Sequence, residues 1–349
     1  MNSLLLKDIV SKFDVVLSDI SFKQISQGYI NDTFLVSDLD TPKFVLQRIN
    51  ENVFKDVEGL HRNLDMALTK LVANDYTQIT LFRTRLGKPF LLENKNCWRL
   101  INYIPDSTAH NFTSQPKIAF EAGKTIGRFH QLLKQENIST YVDSISNLNF
   151  LPHHVDAFKL ALNKSIIDWK NTAYQQIDFA NVHLNSFSEF YKASLPVRIC
   201  HNDTKLNNIL FDSSNNGLCL IDLDTIMKGY FHYDFGDAVR TVVSESNEDE
   251  KNLNKINFNL DLFTSFIEGI KYSNLALTPG EINYLGLSCA LMPFMHGLRA
   301  LTDYLNGNIH YKVSYPEQNL DRCKSLFQFT KLALKNKDKL ERIIKDVLN

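Results

Sequence analysis

The periodicity of the apolar residues changes near residues 103–106, and this switch limits the folds open to the chain more than any other feature. Before it, short runs rich in Phe, Val, Ile and Leu alternate with turn-forming residues, the pattern of strands. The runs are 33–37, 43–49, 78–83, 90–92 and 97–104, after a first strand near 22–26. Turn-like stretches at 38–42 and 87–89 separate them. One helix interrupts the series, because Phe54, Val57, Leu60, Leu64, Ala67, Leu68 and Leu71 recur at spacings of three and four.

After Pro105 the period becomes helical. Ile118, Ala122, Ile126, Phe129 and Leu133 form one stripe, with Gly123 and Gly127 beside it where close backbone packing is expected. Polar–apolar periodicity continues over 152–192, and long helical patterns resume at Phe258, one of them carrying Pro293 as an expected kink. The strand-like island of this half is 197–200, 208–211 and 218–221, with 215–217 as a hairpin turn. The pattern predicts an α+β chain in two lobes, a strand-rich lobe over 1–104 and a helical lobe over 105–349.

Charge excludes several partners. Thirty-eight Lys and Arg face 39 Asp and Glu, a net charge of −1, so a nucleic-acid or anionic-membrane binder is not expected. No run approaches the roughly 18 apolar residues of a membrane span, and Leu4-Leu5-Leu6 is broken by Lys7 and Asp8. The five cysteines are far apart and odd in number, which reads as free buried thiols in a reducing, cytoplasmic setting.

The chemistry concentrates in residues 201–224. Asp203 lies in a short polar loop directly after an apolar strand, Asn208 follows it, and a hairpin returns to Asp222. Phosphoryl transfer uses such groups: a carboxylate to orient the attacking hydroxyl, and hard oxygen ligands to hold Mg²⁺ against nucleotide phosphates. The hairpin brings Asn208 and Asp222 together, so both could hold one metal.

His201-x-Asp203-x-x-x-x-Asn208, followed by a strand and Ile221-Asp222, resembles the aminoglycoside phosphotransferase and choline kinase superfamily. The stretches at 28–33, 44–50, 233–240, 296–299 and 301–307 are closer still to the N-acetylhexosamine 1-kinases of that superfamily. The resemblance implies a protein-kinase-like fold, antiparallel sheet first and helices second. It implies Asp203 as catalytic base, Asn208 and Asp222 as Mg²⁺ ligands, and His201 as a brace beneath the loop. Asp224, two positions past Asp222, would point the same way on an extended strand. It is expected to bind substrate or a second metal, with capping of the next segment as the plain alternative. Asp234-Phe235-Gly236 spells the metal tripeptide of protein kinases but lies too far along. Asp234 is expected instead to tie the catalytic loop to the helical lobe.

For the nucleotide, Gly28 and Asn31 sit at the turn after the first strand, where a glycine allows close approach of phosphates. A plain hairpin turn would account for them equally. The third strand lacks the expected lysine, with Gln47 and Arg48 in its place on opposite faces, and Arg48 would restore the charge. The adenine is expected against backbone near Asn102 and Ile104. For the acceptor, Arg299 either pairs with Asp303 on the helix surface or reaches into the cleft. Tyr29 stands where the sugar 1-kinases carry histidine, and Tyr304 and Tyr311 are candidate stacking partners. The sequence thus predicts an ATP- and Mg²⁺-dependent kinase, expected to be monomeric, acting on the anomeric hydroxyl of an N-acetylhexosamine. An aminoglycoside, choline or another sugar is the alternative acceptor, and a nucleotide-binding pseudokinase the non-enzymatic one.

Overall fold

The computed structural model describes residues 2–25 and 30–348. It opens with helix α1 (Ser3–Ser11) and an antiparallel sheet of β1 (Ile20–Ile25), β2 (Asp32–Asp38), β3 (Thr41–Ile49), β4 (Leu81–Phe82), β5 (Leu91–Glu93) and β6 (Asn96–Asn102). The strand order is β1-β2-β3-β6-β4, with β5 also on β6. Helix α2 (Val57–Leu68) connects β3 to the rest of the sheet. The predicted strand at 78–83 shortens to two residues, because Thr80 N–H donates to the Asn102 side chain and Thr77 N–H to Leu218 O, outside the ladder.

Each face of the sheet is covered by a different helix, and this decides which side chains can reach the site. On one face Leu6, Ile9, Val10 and Phe13 cover Phe34, Val36, Leu46, Trp98 and Leu100. On the other, Leu60 of α2 packs with Ile49, Phe54 and Cys97. The helix α1 was not expected, although Leu6, Ile9, Val10 and Phe13 carry helical spacing and the Asn2 side chain caps Leu4 N–H.

The rest is mainly helical: α3 (Pro116–Leu133), α4 (Leu151–Lys164), α5 (Ile167–Thr172), α6 (Tyr174–His183) and α7 (Ser188–Lys192) come first. Four short strands follow, β7 (Arg198–Cys200), β8 (Ile209–Phe211), β9 (Gly217–Leu220) and β10 (Met227–Gly229). The chain ends with α8 (Phe231–Val242), α9 (Leu260–Tyr272), α10 (Pro279–Leu305), α11 (Gln318–Lys335) and α12 (Lys337–Leu348). Strands β8 and β9 form the expected hairpin, and β7 pairs β10. Gly123 permits the contact of α3 with α9: a Cβ there would lie 2.0 Å from Phe266 O. Helix α10 starts with a Thr278–Glu281 capping box and continues through Pro293. No helix among the described residues is long and apolar enough to cross a membrane.

Candidate active site

The loop of residues 201–208 is held from below by one buried carboxylate. Asp234, in the first turn of α8, accepts His201 N–H on Oδ2 (2.8 Å) and Asn202 N–H on Oδ1 (2.6 Å). His130 Nε2 adds a contact to Oδ2 at 2.9 Å, and the Thr204 hydroxyl donates to Asp234 O at 2.5 Å. This is the tie the sequence suggested for Asp234. Its neighbour Gly236 serves helix packing, since a Cβ there would lie 2.3 Å from Ser288 O on α10.

His201 is locked in one tautomer. Its Nε2 lies 2.8 Å from Ile221 O and Nδ1 accepts Asp203 N–H at 3.2 Å, so the proton sits on Nε2. Asn202 holds a left-handed backbone (φ +65°), and its amide donates to Thr225 O at 3.0 Å. The loop therefore turns sharply and lifts the Asp203 side chain out of the floor.

Asp203, Asn208 and Asp222 converge. Asn208 Nδ2 donates to Asp203 Oδ2 at 2.9 Å and to Asp203 O at 2.8 Å, which leaves its Oδ1 without a donor among the described residues. Ile221 N–H donates to Asn208 O at 2.8 Å, so the hairpin places Asp222 beside that amide. Lys205 Nζ sits 2.7 Å from Asp203 Oδ2. Burial pushes this ammonium down, but Asp203 and Asp222 outweigh it and raise its pKa above the usual lysine value. Asp222 is exposed as a residue and has a left-handed backbone (φ +59°). Crowding by the surrounding protein, then the Asp224 carboxylate, raises its pKa to about 6. A carboxylate held at this cost beside an unengaged amide oxygen is a hard-donor set that fits a divalent cation.

Three other expectations are corrected by the geometry. Asp224 is not on an extended strand: β9 stops at Leu220, Asp222 turns left-handed, and Leu223–Thr225 forms a 3₁₀ turn. Its buried carboxylate pairs with Arg99 Nη1 and accepts from Asn31 Nδ2 at 2.6 Å. Asn31 does not offer its amide to a nucleotide, because Oδ1 also accepts Asn50 N–H at 2.9 Å. Arg48 lies on the α1 face of the sheet, bonded to Asp32 through Nε (2.8 Å), while Gln47 takes the α2 face. Gln47 Oε1 accepts from Arg99 Nε at 2.8 Å, directly across the β3–β6 pair. Sequence reasoning missed Arg99; its signal was a lone charge in the apolar run 97–101.

Gly28 and Tyr29 lie outside the described residues. At the strand end, Asn102 N–H donates to Thr80 O and Tyr103 N–H to Lys43 O, whereas Ile104 N–H has no hydrogen-bond partner among the described residues. Arg299 is half-buried and does not pair with Asp303, which is buried and accepts the backbone N–H groups of His310 (2.9 Å) and Tyr311 (3.0 Å). Tyr304 is buried against Trp169 and unavailable for stacking, while Arg322 lies 5.3 Å over the Tyr311 ring. Further in, Asp237 accepts from Arg240 Nε (2.7 Å) and lies 3.1 Å from His296 Nε2. Arg240 also bonds Glu248.

A family model described as the phosphotransferase enzyme family matches residues 21–254. Among solved structures, a microcompartment-associated aminopropanol kinase is similar at 14% identity and a TM-score of 0.60, over 97% of this chain and 99% of that one. A spectinomycin phosphotransferase, solved with ADP and spectinomycin, is similar at 12% identity and 0.63, over 96% and 98%. An amicoumacin kinase, solved with AMP-PNP and Ca²⁺, is similar at 12% identity and 0.58, over 97% and 94%. At these identities the likeness is one of fold.

Proposed function

The chain belongs to the APH phosphotransferase enzyme family, and from that premise we propose that it is an ATP- and Mg²⁺-dependent small-molecule kinase acting on a sugar hydroxyl. The observation that carries this reading is the convergence of Asp203, Asn208 and Asp222 at the loop and hairpin of residues 201–224. Residues 1–104 would form the nucleotide lobe and 105–349 the catalytic and acceptor lobe. Ile104 N–H, which has no hydrogen-bond partner among the described residues, would be the donor to an adenine ring there.

Asp203 Oδ2 is engaged by Lys205 and Asn208, so Oδ1 is the oxygen left to accept the proton of the acceptor hydroxyl. Lys205 keeps negative charge on Asp203 from repelling the incoming phosphate. Asn208 Oδ1 and Asp222 would hold Mg²⁺, which when bound neutralises charge on the transferring phosphates. A pseudokinase would lack one of these groups, and all are present.

For the acceptor, Arg240 pairs with Asp237 and Glu248 and Arg322 with Glu248, whereas Arg299 forms no ion pair among the described residues. That suits a neutral sugar better than a cationic aminoglycoside or choline. Together with the resemblance over 233–240 and 296–299, it makes the anomeric hydroxyl of N-acetylglucosamine or N-acetylgalactosamine our first choice. A second reading, an amine-bearing acceptor, rests on Asp237 Oδ2, which is buried with no partner among the described residues. The five free buried cysteines fit a reducing cytoplasmic setting. A transfer screen over free sugars, aminoglycosides and choline, with the phosphate position read by NMR, tests the proposal. Transfer to a sugar 1-hydroxyl is the expected result, and transfer confined to amine-bearing alcohols would favour the second reading.

A further inference from the structure

Two charged side chains, Arg99 and Asp224, meet between the sheet and the turn that carries Asp222. Both are almost fully enclosed, with side-chain exposures of 3% and 2%. Their polar atoms are engaged from several directions. Arg99 Nη1 pairs with Asp224 Oδ1, and Arg99 Nε donates to Gln47 Oε1 at 2.8 Å. Asn31 Nδ2 donates to Asp224 Oδ2 at 2.6 Å, and the Ser144 hydroxyl donates to Asp224 O at 3.0 Å. Asn31, just after the nucleotide turn, is itself fixed to Asn50 N–H. The neutral Gln47 occupies the inner face of β3 at this level, and the neighbouring strand supplies Arg99 directly opposite it.

We propose that Arg99 and Asp224 are a positioning brace, which sets the base of the nucleotide turn and the left-handed Asp222 turn in register, and that Asp224 binds neither metal nor acceptor. The inference rests on the phosphotransfer reading of Asp222. A buried carboxylate stays closed on its cation because separating the pair would leave an uncompensated buried charge. Asp222, two residues earlier, is exposed as a residue and forms no ion pair among the described residues, in contrast to Asp224. The brace therefore divides the labour of the Asp222-x-Asp224 pair: one carboxylate for the cation, one for the backbone that presents it.

The test is the Mg²⁺ dependence of ADP affinity, measured by calorimetry on the full chain with melting curves as a fold control. In wild type, ADP binding is expected to tighten when Mg²⁺ is added. Arg99→Gln combined with Asp224→Asn removes both charges and leaves an amide pair, so it avoids a lone buried ion. This double variant is expected to melt near wild type, to bind metal-free ADP as wild type does, and to lose at least tenfold of the Mg²⁺-dependent tightening. Arg99→Gln alone is expected to lose as much as the double variant. The proposal is overturned if the double variant keeps the wild-type response. It is equally overturned if Arg99→Gln keeps that response while Asp224→Asn abolishes it, the pattern of a direct metal ligand. A wild-type chain that binds no nucleotide overturns the kinase reading as well, a result distinct from the other two.

Discussion

Two buried aspartates organise this site in different ways. Asp234 lies within the helical part and spends its carboxylate on backbone N–H groups 32 and 33 residues away, at Asn202 and His201. Asp224 spends its carboxylate on Arg99 of the sheet and on Asn31 just before β2, 125 and 193 residues away. The first shapes a loop, and the second joins two parts of the molecule. A loop-shaping carboxylate is needed whether or not nucleotide is bound, whereas on the proposed reading a joining one matters most when the turn before β2 and the turn at Asp222 act together.

The largest expected effect falls on neither hub but on what the first one presents. Asp203→Asn is expected to reduce turnover roughly 10²–10⁴-fold, the range for a lost general base, with ADP affinity and melting temperature nearly unchanged. Turnover within a few-fold of wild type would remove Asp203 from the chemistry. Asp234→Asn comes next. It trades an acceptor for a donor beside two backbone N–H groups and is expected to cost about 3 kcal/mol of stability. Thermal unfolding checks this, and an unchanged melting temperature would break the distinction between the hubs.

Acid provides a smaller, graded test of the second hub. Burial, followed by the Arg99 charge, lowers the His61 pKa to about 4. Burial likewise lowers His154 and His232 to about 4. A folded-state pKa below the ordinary value near 6.5 means the unfolded chain takes up protons first. The stability these histidines contribute is complete above pH ~6.5 and is lost as the pH falls toward ~4. Asp222, with its raised pKa, offsets part of that loss. The melting temperature is expected to fall across this window, and His61→Gln to flatten the fall; a flat wild-type profile would contradict the assignment. The smallest effect is expected at Arg48. Its pair with Asp32 is about one-third exposed, so Arg48→Ala is expected to cost at most about 1 kcal/mol. ADP affinity should stay within about twofold, and a larger loss would return Arg48 to the nucleotide face.

What the sequence made legible divides along the same line as the hubs. The candidate loop could be read because its groups lie within a few residues and one tight hairpin of each other, and local spacing determines such geometry. Asp234 could be placed because its distance from Asn208 was wrong for a metal ligand. Arg99 was not legible: its role depends on the β3–β6 register and on which face α2 covers, neither of which spacing encodes. Alternation correctly separated Gln47 from Arg48 without telling which one faced inward. Asp224 misled because a left-handed residue at Asp222 ends the strand that the alternation argument assumed. Helix α8 was missed although its period is helical: its polar side, with Asp234, Asp237 and Arg240, is buried along with its apolar side instead of facing solvent.

The central claim is that Asn208 and Asp222 jointly hold a cation against a nucleotide, with Asp203 beside it. A crystal of the full chain grown with ADP and Mn²⁺, with the metal located by its anomalous scattering, tests this most directly. The account expects one strong peak within coordination distance of Asn208 Oδ1 and an Asp222 carboxylate oxygen. A peak bound by Asp224 in place of Asp222, or ordered ADP whose metal touches neither residue, would contradict it.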